Sequence, residues 1–167
     1  THRSATMMTD PEEHPHNRPK HNKNPPYSGY GGTERVIYAF TIQATRKGHI
    51  VDVVCQKGSA INGQNINVIH YPKAAGTGDA ALSFLYNFLA LNRERYDLVN
   101  LHIFEKKYVQ TLSELFTPLV TSIHFYVDGE RIRPFNDRNS YYRVQSKSQG
   151  RFYRKYLQGK VKGILQG

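Results

Sequence analysis

Two histidines close apolar runs in this chain. His102 follows Leu98-Val99-Asn100-Leu101, and His124 follows Leu119-Val120-Thr121-Ser122-Ile123. A neutral imidazole in such a place accepts a proton or donates a hydrogen bond to a substrate hydroxyl. Taken singly, each is more simply a strand-end histidine bonded to a nearby carbonyl. A third feature is Gly31-Gly32-Thr33, which opens a helical pattern. With no Cβ in the way, a phosphate or sugar hydroxyl can approach the free N–H groups and the positive end of the helix dipole. A bare glycine pair also reads as a structural turn, and it fits neither the G-x-G-x-x-G fingerprint nor the Walker pattern. Ser146 lies just beyond a further short run, Tyr141–Val144. Cys55 sits in Ile50–Cys55 without a paired base, so it reads as a small buried hydrophobe. His14, His16 and His21 fall in a Pro-rich polar stretch with no fixed ligand geometry, so a solvated tail is favoured over a metal site there.

These residues need elements to position them. Thr33 is a natural N-cap with Glu34 in the first turn, and Val36, Ile37, Phe40 and Ala44 recur at helical spacing. Gly48 follows Arg46 and Lys47 as a C′ residue. Ile50–Cys55 and Ile66–Tyr71 read as buried strands, and Asp79 as the cap of a helix carrying Leu82, Leu85, Tyr86, Leu89 and Ala90. Leu98–His102 is a third strand. Val109, Leu112, Leu115 and Phe116 form a helix face, and Leu119–His124 is a fourth strand. Asp128–Ser140 reads as a loop and Tyr141–Val144 as a strand. Ser148–Leu157 suits a basic helix with Phe152 and Tyr156 inward, and Val161–Leu165 suits a last strand. Strands apolar throughout, alternating with helices, predict an α/β fold: one domain with a parallel, Rossmann-like sheet and helices on both faces. Ligands of such sheets sit outside the carboxyl ends of the strands, which turns attention to His102, His124, Ser146 and the glycine loop.

The length of 167 residues suits one such domain. No apolar run reaches the roughly 20 residues of a membrane span, and the first twenty residues lack the apolar core of a secretory signal. A single cysteine excludes an intrachain disulfide and makes a reducing, cytoplasmic setting the default. Residues 1–24 are rich in His, Asn, Pro, Lys and Glu, which predicts a disordered polar tail. The net charge is +10, and Arg131–Lys162 holds ten bases against one acid, Asp137. That tract attracts phosphates on a nucleotide, a nucleic acid or a lipid headgroup, or it is a solvated face without a specific partner.

The order of the pieces is more specific than any one of them. Pro-Pro-Tyr-Ser-Gly-Tyr-Gly-Gly-Thr-Glu-Arg-Val-Ile-Tyr (25–38), with Arg-Lys-Gly-His-Ile-Val-Asp-Val-Val (46–54), resembles the start of family-4 glycosyltransferases. These are GT-B enzymes with two Rossmann-like domains around a cleft. The resemblance runs on through Tyr-Asp-Leu-Val-Asn-Leu-His (96–102), Pro-Leu-Val-Thr-Ser-Ile-His (118–124) and Val-Gln-Ser-Lys-Ser-Gln (144–149) to Ile-Leu-Gln-Gly (164–167), which is similar to the segment leading into the second domain, and so covers roughly residues 25–167.

The resemblance implies an acceptor-side, amino-terminal domain. Its enzymes move a sugar from a nucleotide-diphosphate sugar to a sugar, lipid or other acceptor, usually with retention and with no required metal or cofactor. His124 then matches the cleft histidine and His102 a second rim histidine. Gly31, Gly32 and Thr33 would lie against the donor diphosphate and the acceptor, with Ser146 on the same substrate side. In membrane-associated members a basic, aromatic surface meets anionic lipid, a role that Arg131–Lys162 with Phe135, Tyr141, Tyr142, Phe152 and Tyr153 would suit as a peripheral contact. The same tract carries no recognisable nucleic-acid motif, which ranks a nucleic-acid partner last.

Two departures stand out. The family's central strand precedes the Pro-Pro loop, and here His14–Asn24 cannot be a buried strand. Either the sheet lacks that strand, another segment fills it, or the tail is not the native start. The family's second domain, with its E-x7-E acidic pair for the donor, also has no counterpart. The expectation is therefore a domain inactive by itself, either a fragment of a longer enzyme or half of a split one completed by a separate donor-binding chain, with a non-catalytic phosphate- or lipid-binding remnant as the alternative.

Overall fold

In a computed structural model the described residues are 1–8, 32–56, 61–71, 78–103, 105–116, 118–124, 140–155, 157 and 161–164. In chain order the elements are β1 (Arg3–Met7), α1 (Gly32–Arg46), β2 (Ile50–Gln56), β3 (Ile66–Tyr71) and α2 (Gly78–Asn92), which runs into a 3-10 turn (Arg93–Arg95). Then come β4 (Leu98–Leu101), α3 (Lys106–Leu115), β5 (Leu119–Ser122), β6 (Ser140–Val144), α4 (Lys147–Arg154) and β7 (Val161–Ile164). The expected loop at 128–139 and the histidines at 14, 16 and 21 lie outside the described residues.

The seven strands form one sheet in the order β3-β2-β1-β4-β5-β6-β7, and every neighbouring pair is parallel. The α/β, Rossmann-like expectation holds. Of the alternatives for the centre, the missing strand is overturned and another segment fills the place: β1 stands there, drawn from the segment read as a disordered tail. Arg-Ser-Ala-Thr-Met looks polar in sequence, yet Ala5, Thr6 and Met7 are wholly buried between β2 and β4. Small side chains suffice at a position flanked by two strands and covered on both faces, and the one long charged residue is neutralised. Arg3 donates from Nε and Nη2 to the Asp52 carboxylate at 2.9–3.1 Å.

Asp52 is the hub of that edge. It is fully buried and also accepts from Asn67 Nδ2 and Tyr96 Oη, each at 2.8 Å. Burial alone would raise its pKa. The bonds from Asn67, Tyr96 and Arg3, with the Arg3 charge, outweigh burial and hold it below the usual carboxylate value. Burial, then the bond to Asp52, pushes the Tyr96 phenol up.

Alternation along the strands splits the core in two. Ala5, Met7, Val54, Val99, Leu101, Leu119 and Tyr142 face α2, α3 and α4, meeting Leu85, Leu89, Leu112 and Tyr153. Val51, Val53 and Cys55 face α1 and meet Ile37. The buried stripe of α2 is Ala81, Leu85 and Leu89, and Tyr86 and Ala90 lie on the exposed side. Asp79 sits in the first turn of α2, where it pairs with Lys107 at 2.6 Å. In α4 Tyr153 is wholly buried, the expected Phe152 packs half-buried against the core with its ring edge-on to Tyr153, and Tyr156 lies outside the described residues. Gly48 has φ +86°, the left-handed conformation that lets the chain turn from α1 into β2.

Candidate functional site

The strand order reverses direction between β1 and β4, and in open parallel sheets the crevice for ligands lies outside the carboxyl ends at that switch. His102 stands there. Its backbone N–H extends the β1–β4 pairing by bonding Met7 O at 2.9 Å, and its side chain therefore emerges at the rim. On the neighbouring strand, Ile123 N bonds Arg143 O at 2.9 Å and carries β5 on to His124. The two imidazoles meet: His102 Nδ1 lies 2.8 Å from His124 Nε2, with the rings stacked at 5.1 Å and 27°. The two strand-end side chains thus bond each other, where a nearby carbonyl is the simpler expectation for each taken singly.

Neither ring carries charge near neutral pH. Burial, then the nearby His124 and the Arg143 charge, hold His102 well below the ordinary histidine value. Burial pushes His124 down to about 4. The proton positions follow from one neighbour. Gln145 Nε2 is 3.1 Å from the His124 carbonyl oxygen, which only accepts, so the amide nitrogen faces His124. The same Nε2 is 3.0 Å from His124 Nδ1, which accepts. A neutral imidazole has one proton, so His124 carries it on Nε2 and donates to His102 Nδ1. His102 then carries its own proton on Nε2, a buried atom without a partner.

Gln145 is itself held. Its backbone N–H donates to Gln149 Oε1 at 2.7 Å, and Gln149 N donates to Ser146 Oγ at 3.1 Å, which makes Ser146 the N-cap of α4. The Ser146 hydroxyl is thus engaged with the helix end and, at 3.0 Å, with Ser148 Oγ. Its contribution to the rim is to fix the turn that presents Gln145. The spacing Ser146-x-x-Gln149 is a capping-box signature, and it is the signal by which Gln145 could have been found.

The glycine loop is only partly in view. Gly31 lies outside the described residues, Gly32 is the first residue of α1, and Thr33 falls inside the first turn instead of capping it. Helix α1 ends beside the start of β2, with His49 N bonded to Ala44 O. Its 15 residues span about 22 Å, so it runs back along the sheet and begins at the carboxyl side, the edge that carries the histidine pair.

The family model described as Glycosyltransferase Family 4 matches residues 30–160, most of the chain. The chain belongs to glycosyltransferase family 4. A search of curated proteins gives no match. In this family-4 domain Cys55 is buried as expected, with Sγ 3.7 Å from His70 Nδ1. No group of three His, Cys, Asp or Glu among the described residues could hold a metal ion. No described helix is long and apolar enough to cross a membrane. Of the basic tract, Lys147, Arg151, Arg154 and Lys155 line the exposed side of α4. Arg143 behaves differently. It points under α1, with its guanidinium carbon 4.7 Å from the Phe40 ring centroid.

Proposed function

We propose that this chain is the acceptor-side half of a glycosyltransferase that moves a sugar from a nucleotide-diphosphate sugar to a sugar or lipid acceptor. Family membership supports the glycosyltransferase-like role, and the observation that carries the site reading is the neutral imidazole pair at the topological switch point. Both nitrogens of His124 are engaged, so an acceptor hydroxyl that reaches it must replace Gln145 at Nδ1, the exposed side of the ring. The backbone N–H groups at the start of α1, from Gly32 on, would face the donor diphosphate. Ser146 contributes by holding Gln145.

Donor binding in this reading belongs to a second Rossmann-like domain, joined to this one or on a separate chain, and stabilisation of the departing diphosphate is shared with it. No metal or other cofactor is needed for the step. The exposed bases of α4 suit an anionic membrane surface, which would place a lipid acceptor near the rim. The test combines the chain with a family-4 donor-binding domain and follows sugar transfer from nucleotide sugars by mass spectrometry. Transfer that requires both chains supports the reading. Failure with every donor, alongside retained anion binding, favours the non-catalytic binding module.

A further inference from the structure

The sheet face beneath α1 carries polar groups where an apolar layer would pack. Thr6 and Asn100 are partners across β1 and β4. Both are wholly buried, and neither Thr6 Oγ1 nor either side-chain atom of Asn100 has a partner. One level nearer the carboxyl edge, three side chains succeed one another across β4, β5 and β6. Leu101 pairs with Thr121, so His102 stands beside Ser122, and Ser122 pairs with Arg143. Neighbouring parallel strands are about 4.8 Å apart and matched residues share a face, which the stacking of Arg143 on Phe40 of α1 identifies.

All three present hydrogen-bond donors without acceptors. The His102 proton sits on Nε2, as the chain of bonds from Gln145 through His124 requires, and that atom is unpartnered. The Ser122 hydroxyl is wholly buried and unpartnered. The Arg143 guanidinium is half-buried and makes no ion pair or hydrogen bond among the described residues. A buried hydroxyl or N–H left without an acceptor is costly, and a cation beside such donors favours an anionic acceptor. A neutral hydroxyl ligand would need acceptors as well as donors. Two obligate donors, one of them a cation, beside a hydroxyl that can also donate, match an oxyanion.

We propose that His102 Nε2, Ser122 Oγ and the Arg143 guanidinium form a binding site for a phosphoryl group at the rim beneath α1. Phe40 holds the guanidinium plane, and Gln145, acting through His124, directs the His102 proton into the site. The site deepens the sugar-transfer reading by naming the part of a substrate that this half would grip. Binding to the chain alone is a separate measurement from transfer, so either can fail without the other.

The test titrates the 167-residue chain with inorganic phosphate by calorimetry and follows the imidazole nitrogens by long-range 15N NMR. Expected are saturable binding, a shift of His102 Nε2–H, and a loss of about tenfold in affinity for Arg143→Met. Arg143→Lys should lose less, because charge is kept and only the planar fork is lost. Ser122→Ala removes a buried unpartnered hydroxyl, so it should fold and bind about threefold more weakly, which keeps the test decisive if Arg143→Met unfolds. Uridine diphosphate and glycerol 3-phosphate distinguish the source: tighter binding of the first marks the donor diphosphate, of the second an acceptor phosphate. Absent saturation, a response confined to Lys147 and Arg151 on α4, or unchanged affinity in Ser122→Ala and Arg143→Lys together would overturn the proposal.

Discussion

His102 Nδ1 and His124 Nε2 lie 2.8 Å apart and hold one proton between them. Two residues from different strands, 22 positions apart in sequence, therefore behave as one hydrogen-bonded unit with a direction set by Gln145 at its outer end. Neutrality is essential to that unit. A proton added to either ring would place two donors face to face.

The first expected outcome concerns His124. Replacing it with alanine removes the link between Gln145 and His102, and sugar transfer by the chain combined with a donor-binding domain should fall by roughly 100-fold, the scale of a lost acid–base or orienting group. Circular dichroism should be unchanged, since the ring is at the rim and not in the core. Wild-type turnover in that variant would remove His124 from the reaction.

Gln145→Glu should reverse the polarity of the pair. A carboxylate beside His124 Nδ1 accepts where the amide donates, so the His124 proton moves to Nδ1 and its pKa rises from about 4. Nitrogen-15 NMR reads this directly, as exchange of the protonated and unprotonated nitrogens of one ring. Unaltered nitrogen shifts would mean that Gln145 does not set the tautomer.

Acid should weaken the fold in two separate windows. The His124 value is about 4 when folded against 6.5 in the free side chain, so the unfolded chain binds the proton first. Stability is then constant above about pH 7 and falls as pH drops from 6.5 towards 4, by on the order of 3 kcal/mol at full extent. His102 adds to the same slope. Asp52 acts lower. Its folded pKa lies below 3.8, so its contribution is intact above that pH and disappears as pH falls through the depressed value. Urea midpoints between pH 7.5 and 3 check both, and the upper slope should flatten in His124→Phe.

Asp52→Ala should cost about 3 kcal/mol or more. The buried Tyr96 hydroxyl and the Arg3 guanidinium each lose their carboxylate. Tyr96→Phe removes a single bond and should cost about 1–2 kcal/mol. Equal urea midpoints for wild type and Asp52→Ala would show that the hub does not tie β1 to its neighbours.

Gly48→Ala isolates backbone strain. Nothing lies within 4 Å of a Cβ built there, yet φ is +86°. The expected loss is about 1 kcal/mol, the cost of holding a non-glycine residue left-handed. Gly48→Asn should lose less, because asparagine tolerates that region. A thermal melt equal to wild type in the alanine variant would contradict this.

Much was readable from residue order alone. Apolar strands alternating with periodic helices determined a parallel sheet covered on both faces, because strands buried on two sides cannot alternate polar and apolar residues. The same rule put His102 and His124 at a carboxyl rim, and the order of motifs pointed to the glycosyltransferase family. What periodicity could not reveal was β1. Arg3–Met7 has little hydrophobicity of its own and becomes a central strand only because β2, β4 and the Asp52 carboxylate surround it. Nor could it say which side chains meet. The bond between the two histidines, the role of Gln145 as its anchor and the burial of Arg143 under Phe40 depend on strand register and on the path of α1 across the sheet. Those are long-range relationships, and only the folded chain sets them.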